Sequence, residues 1–142
     1  KDEFEKGTPP DSIKQAQDAI RWADHLVIFY PLWLGSMPAL LKAFLEQVFR
    51  PGVAFEYRAQ GKMAKKLFTG KSARIVVTMG MPALVYRWFF LAHSLKSLER
   101  NILAFCGIKP TRATLIGQVE GMNERQRASW LDEMRGLGDV GK

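Results

Sequence analysis

Two short loops carry the residue types from which a binding site for a flat, polar-edged ring can be built. Pro31-Leu32-Trp33-Leu34-Gly35-Ser36 is apolar and places an indole just ahead of a helical pattern. Gly80-Met81-Pro82-Ala83 follows Thr78, whose hydroxyl and neighbouring backbone amides can bond ring heteroatoms. An apolar loop facing a glycine-containing one suits a heteroaromatic ligand with several acceptors. The competing reading has Leu32, Trp33 and Leu34 packed on the core. Tyr86 and His93, seven residues apart, fall on one face of an unbroken helix. Together they would steady charge developing on a reduced ring or a quinone oxygen. A solvated histidine at a helix end is the plainer account of His93.

The other reactive side chains fit bland roles. Cys106 follows apolar Phe105 with no histidine nearby in sequence, as a buried structural thiol would. One cysteine and two histidines, widely separated, give no metal-ligand spacing. His25 follows Asp24 where a helix should end, and cation–dipole complementarity accounts for it. No Gly-x-Gly-x-x-Gly, Walker loop or Gly-x-Ser-x-Gly elbow is present.

The loops need strands behind them. Leu26-Val27-Ile28-Phe29-Tyr30 is continuously apolar and reads as a strand covered on both faces, ended by Pro31. Ile75-Val76-Val77-Thr78-Met79 reads as a second buried strand, and Thr111–Gly117 as a third. Between them lie helical stripes. Ile13, Ala16, Ile20 and Ala23 form the first, behind Asp11 as a cap. Met37, Leu40, Leu41, Phe44, Leu45 and Val48 form the second, capped by Ser36 with Pro38 in its first turn. A helical region from Ala83 to Cys106, interrupted near His93-Ser94, ends at Gly107. Asn123 and Gln126 make a capping pair for a last helix carrying Trp130, Leu131, Met134 and Leu137. This alternation predicts an α/β chain with a parallel sheet and helices on both faces. A first strand so apolar expects a neighbour on each side, since as an edge it would be a pairing hazard.

Composition sets the outer bounds. The 142 residues make one domain, 47% hydrophobic and 25% charged, which excludes disordered, collagen-like and disulfide-stapled classes. A single cysteine points to a reducing, cytoplasmic setting. The apolar runs are too short to span a membrane, and no signal peptide is visible. The net charge of +7 raises an anionic partner. The one basic cluster, Lys62, Lys65, Lys66, Lys71 and Arg74, reads as a solvated loop, with nucleic acid as the alternative.

The stretch Tyr30-Pro31-Leu32-Trp33-Leu34-Gly35-Ser36-Met37-Pro38-Ala39-Leu40-Leu41-Lys42 resembles the strand-loop-helix signature of flavodoxin-like NAD(P)H:quinone oxidoreductases, the DT-diaphorase group. Phe49-Arg50-Pro51-Gly52-Val53-Ala54-Phe55, Gly70–Arg74, Ile75–Met79 and Phe105-Cys106-Gly107-Ile108 follow in the family's order. The resemblance implies a doubly wound fold of five parallel strands, of which this chain carries three. It implies FAD or FMN as cofactor, NAD(P)H as co-substrate, a quinone-like acceptor and a homodimer. By residue, it implies Pro31, Leu32, Trp33 and Leu34 against the flavin ring. Thr78, Met79 and Gly80 would hold the ring's polar edge, with Met79 in place of a second threonine. Tyr86 and His93 would serve hydride transfer, although His93 follows Tyr86 by seven residues where the family spacing is six. Gly35, Phe55 and Tyr57 would line the substrate pocket, the last two from a partner subunit. Glu46 would match a carboxylate near an FAD dinucleotide. The family's opening strand, phosphate loop, helix and second strand have no counterpart here, so the chain is expected to hold the ring-binding half of the site and to bind flavin weakly alone. A flavin-free interaction module, or an inactive fragment of such a reductase, is the alternative function.

Overall fold

The computed structural model describes residues 7–58 and 64–141. Its organising element is a strand of consecutive β-branched residues, covered on both sides. Strand β4 (Ser72–Thr78) runs through Ile75, Val76 and Val77, none of which retains solvent exposure. It lies between β1 (His25–Pro31) and β5 (Thr111–Ile116), both parallel to it, in the order β1-β4-β5. The β1 register runs from His25 opposite Ser72 to Pro31 opposite Thr78. That of β5 runs from Thr111 opposite Ala73 to Ile116 opposite Thr78. All three strands therefore end together, as a parallel sheet requires if its loops are to share one rim.

One face of the sheet builds the core. Tyr30, Ala73, Ile75, Val77 and Met79 meet Leu45, Val48 and Phe49, and behind them Leu95, Leu98 and Leu103. Helix α1 (Asp11–Trp22) brings Ile13, Ala16 and Ile20 to this cluster, as its stripe predicts. Helix α2 (Ala39–Val48) packs beside it. Gln17, buried on α1, donates through Nε2 to the carbonyls of Gln47 and Val48, meeting orphan acceptors at the α2 C-terminus. After β4 comes a π-helical turn (Val85–Phe89), then α3 (His93–Ser97), a π stretch (Leu98–Leu103) and α4 (Ala104–Cys106). The last helix, α5 (Glu124–Asp139), starts with the reciprocal Asn123–Gln126 capping box and carries no fully buried residue.

Several local expectations need correction. Neither Asp11 nor Ser36 caps a helix: Pro10 and Pro38 stand at the two N-caps, without a side-chain bond. Asp11 lies inside the first turn of α1 and pairs with Lys14. Strand β1 is covered on one face only and forms an edge of the sheet. Val27 and Phe29 keep 53% and 60% of their surface exposed. His25 is not at a helix end but opens β1, with Nδ1 2.7 Å from Ser72 Oγ. The basic cluster is not a solvated run either. Lys65 pairs with Glu56 across a small antiparallel hairpin, β2 (Phe55–Glu56) and β3 (Lys65–Lys66). Lys66 donates to the Ala104 carbonyl, and Lys71 donates to the carbonyls of Arg21 and Ala23 at the end of α1. Arg74 is 8% exposed and donates through Nη1 to Thr114 Oγ1. Lys62 lies outside the described residues. Among the described residues, no helix is long and apolar enough to cross a membrane.

Gly107 ends α4 at φ +104, where a Cβ would lie 3.0 Å from the Thr69 amide nitrogen and 3.1 Å from the Phe68 carbonyl carbon. Both the left-handed backbone and the close approach of the hairpin's exit demand glycine. Gly107→Ala is expected to lower stability by about 1–3 kcal/mol in urea unfolding. A change within a few tenths of a kcal/mol would contradict this packing.

Candidate functional site

The rim formed by the C-terminal strand ends is where ligands bind to open parallel sheets. Here the ladder continues past the strands: Leu32 N–H donates to the Thr78 carbonyl at 2.7 Å, tying the loop after β1 to the end of β4. Trp33 and Ser36 then exchange both backbone hydrogen bonds at 2.9 Å, closing a two-residue hairpin over Leu34 and Gly35. Both central residues are left-handed, at φ +47 and +76, as a type I′ turn requires. Glycine accepts that readily; leucine does not. The turn holds Trp33 at 64% exposure and Leu34 fully exposed, while Leu32 packs against the core. The packing alternative thus holds for Leu32 and fails for Trp33 and Leu34.

On the facing loop, Thr78 is half-buried at the end of β4, and its hydroxyl has no hydrogen-bond partner among the described residues. Met79 points into the core, its N–H donating to the Ile116 carbonyl and its carbonyl accepting from Val119 N–H. Gly80 is exposed, with only the Glu120 carboxylate near its face. Gln118 N–H donates to the Met81 carbonyl, and a Cβ on Gly117 would stand 2.4 Å from the Ala83 amide nitrogen. The segment after β5 therefore clamps this loop at van der Waals distance.

Tyr86 and His93 are not brought together. The helical path is broken by Leu91 and Ala92, both left-handed, slightly before the expected interruption. Tyr86 is 2% exposed and turned inward, its hydroxyl 2.7 Å from Ser94 Oγ and accepting from Leu95 N–H. His93 begins α3 exposed. The Tyr30 hydroxyl faces the same Ser94 without completing a hydrogen bond of its own. Burial, with Tyr86 alongside, pushes its phenol well above the usual range. Sequence reading missed this interior cluster because Tyr30 sits in an apolar run, where nothing marks it as polar-partnered.

Phe55 and Tyr57 lie apart from the rim. Their rings meet edge-to-face, and Phe55 also packs on Phe105 of its own chain. With Lys42, Glu46 and Cys106, Phe55 and Phe105 line a cavity of about 210 Å³. Glu46 pairs with Lys42. The buried Cys106 thiol is pushed up to about 12 by desolvation, as an inert structural thiol would be. Apolar exposure is concentrated instead on the segment leaving β4, at Leu84, Trp88, Phe89, Phe90 and Leu91. A cleft of about 1000 Å³ opens beside Glu99, Arg100 and Thr111, at the opposite end of β5 from the rim.

The family described as having the flavodoxin-like fold matches residues 2–136. The chain belongs to that family. It is a distant homologue of NAD(P)H:quinone oxidoreductases. It is 28% identical over 127 residues to an uncharacterized NAD(P)H oxidoreductase of Haemophilus influenzae, covering 89% of this chain and 62% of that protein. It is 35% identical over 114 residues to FMN-dependent NADH:quinone oxidoreductase 1 of Hahella chejuensis, covering 72% and 52%. Among solved structures, Smu.1420 of Streptococcus mutans superposes with a TM-score of 0.79 at 29% identity, covering 95% of this chain and 68% of that one. The chain thus spans little more than half the length of these two curated relatives.

The interior cluster makes a paired prediction. Tyr86→Phe strands the Leu95 N–H and removes the Ser94 bond, and should cost about 1–3 kcal/mol of stability. Tyr30→Phe removes an orphaned hydroxyl and should be neutral or stabilising. Equal losses in thermal or urea unfolding would contradict the arrangement.

Proposed function

We propose that this chain supplies the ring-binding part of a flavin-dependent oxidoreductase that passes hydride from NAD(P)H to a quinone or similar acceptor. The Trp33–Ser36 hairpin carries this reading. A left-handed leucine is a strained choice, and here it holds two apolar side chains in solvent beside the end of the central strand, where a core-packing role would turn them inward. The residues fit the group. Trp33 and Leu34 offer an apolar surface for an isoalloxazine, and Thr78 and Gly80 offer an unpartnered hydroxyl and an open backbone for its polar edge. Bound flavin would supply the hydride chemistry. The chain's own part is to stack on the ring, fix its edge and keep water from one side. Tyr86 contributes by positioning the turn that leaves β4, since its hydroxyl is committed to Ser94 and Leu95.

The name of the Hahella relative favours FMN over FAD and NADH as donor. The exposed apolar side chains from Leu84 to Leu91 favour a homodimer in which Tyr57 faces the partner's rim. A second reading, an interaction module without flavin, draws support from Val27 and Phe29 on the uncovered edge strand. Titration with FMN and FAD, followed by flavin fluorescence, separates the two. Trp33→Ala should weaken flavin binding about 3–10-fold while Trp33→Phe retains most of it. Binding that is undetectable, or unchanged in Trp33→Ala, would sink the flavin reading.

A further inference from the structure

The outer edge of β5 is open: among the described residues, its one sheet neighbour is β4. Ala73 N–H donates to the Pro110 carbonyl at one end of that pairing, and Met79 N–H to the Ile116 carbonyl at the other. In a parallel ladder alternate residues bond to a given neighbour, so the even-numbered positions of β5 face β4. The N–H and C=O groups of Thr111, Ala113 and Leu115 therefore point away from the sheet, and Ala113 is exposed. Such an uncovered row is a template for another strand.

Two clefts lie in tandem beside that edge. The first, about 1000 Å³, is bordered by Thr111 and the π stretch. The second, about 500 Å³, is bordered by Ala113, Leu115 and the π-helical turn after β4. Glu99 borders both, so they follow one another along the strand. Side chains of an added strand alternate between its two faces, and those on the helical side would enter these clefts. Leu95 and Leu115 give the second an apolar wall.

Charge narrows the occupant. Lys66, Arg100 and Lys109 border the first cleft, and Arg87 and Lys96 the second. Among the described residues none of these five makes an ion pair, and Glu99 is the sole carboxylate of either lining. A second copy presenting the same edge would bring like charges together, which is unfavourable. A strand carrying carboxylates meets the opposite field.

We propose that the β5 edge accepts an extended acidic segment of a partner protein, which joins the three-stranded sheet as a fourth strand. Its main chain bonds to Thr111, Ala113 and Leu115, while the flanking cations select Asp and Glu. Affinity in this mode comes from main-chain bonds and selectivity from side-chain pockets. Six residues of β5 span about 20 Å, which sets the segment at about five to seven residues. The surface uses neither the Trp33 hairpin nor the Gly80 loop, so it stands apart from the flavin reading.

The test titrates the isotopically labelled full chain with a peptide of about seven residues alternating glutamate and valine. Saturable amide shifts at Thr111, Ala113 and Leu115 are expected. Lys96→Glu combined with Arg100→Glu, both exposed, should weaken binding about tenfold or more. Arg125→Glu, on α5, should leave it unchanged. Methylating the amide nitrogens of the valines or of the glutamates should abolish binding in one case and spare it in the other, because only alternate N–H groups face β5. No saturable shift, equal tolerance of both methylations, or equal binding of a lysine–valine peptide overturns the proposal. Oligothymidylate saturating these residues where the peptide does not would give the groove to nucleic acid and overturn it as well.

Discussion

The parallel pairing of β1 with β4 is the constraint on which everything else depends. Its register places Pro31 opposite Thr78, and the Leu32 N–H continues the ladder by one further bond. Two loops that are far apart in sequence are thereby held on one rim. The pairing is secure because β4 is buried on both faces by residues that favour extended backbone, and because Tyr30 and Ile28 set β1 on the same core. Register in such a sheet is strongly specified, since a slip of one residue would carry Ile75 and Val77 out of the core.

The rim is also where the fold accepts strain. Leu34, Leu91 and Ala92 are left-handed without being glycine, and all three lie on segments leaving β1 or β4. The intervening turn from Val85 to Phe89 is π-helical, a form frequent near functional sites. Its apolar side chains face solvent while Tyr86 reaches inward to Ser94, so one short segment is anchored by a polar bond and apolar on its outside. The buried half gains stability from that bond, and the exposed half is left for a ligand or a second subunit.

Much of the fold was legible in the sequence. The runs Leu26–Tyr30 and Ile75–Met79 locate two strands, and the stripes at Ile13–Ile20 and Leu41–Val48 locate two helices, because burial on a fixed period leaves its mark on residue type. The hairpin of Phe55–Glu56 and Lys65–Lys66 left no such mark, being two residues long on each side. The fate of Lys66, Lys71 and Arg74 was illegible for another reason: each is positioned by an acceptor far away in sequence, Ala104, Ala23 or Thr114. The shared face of Tyr86 and His93 depended on an unbroken helix, and left-handed leucine and alanine are not signalled by residue type. The candidate loops were visible through their placement after strands, whereas the exposure of Trp33 came from a turn whose type only Gly35 announced.

The central claim is that the two loops at the C-terminal strand ends form one surface for a flavin ring. Backbone amide shifts of the isotopically labelled chain, recorded while FMN is added, test it residue by residue. The account predicts saturable shifts confined to Leu32–Ser36, Thr78–Gly80 and the neighbouring turn. Shifts centred instead on the cleft beside Glu99 and Thr111, or no saturable shifts at all, would contradict it.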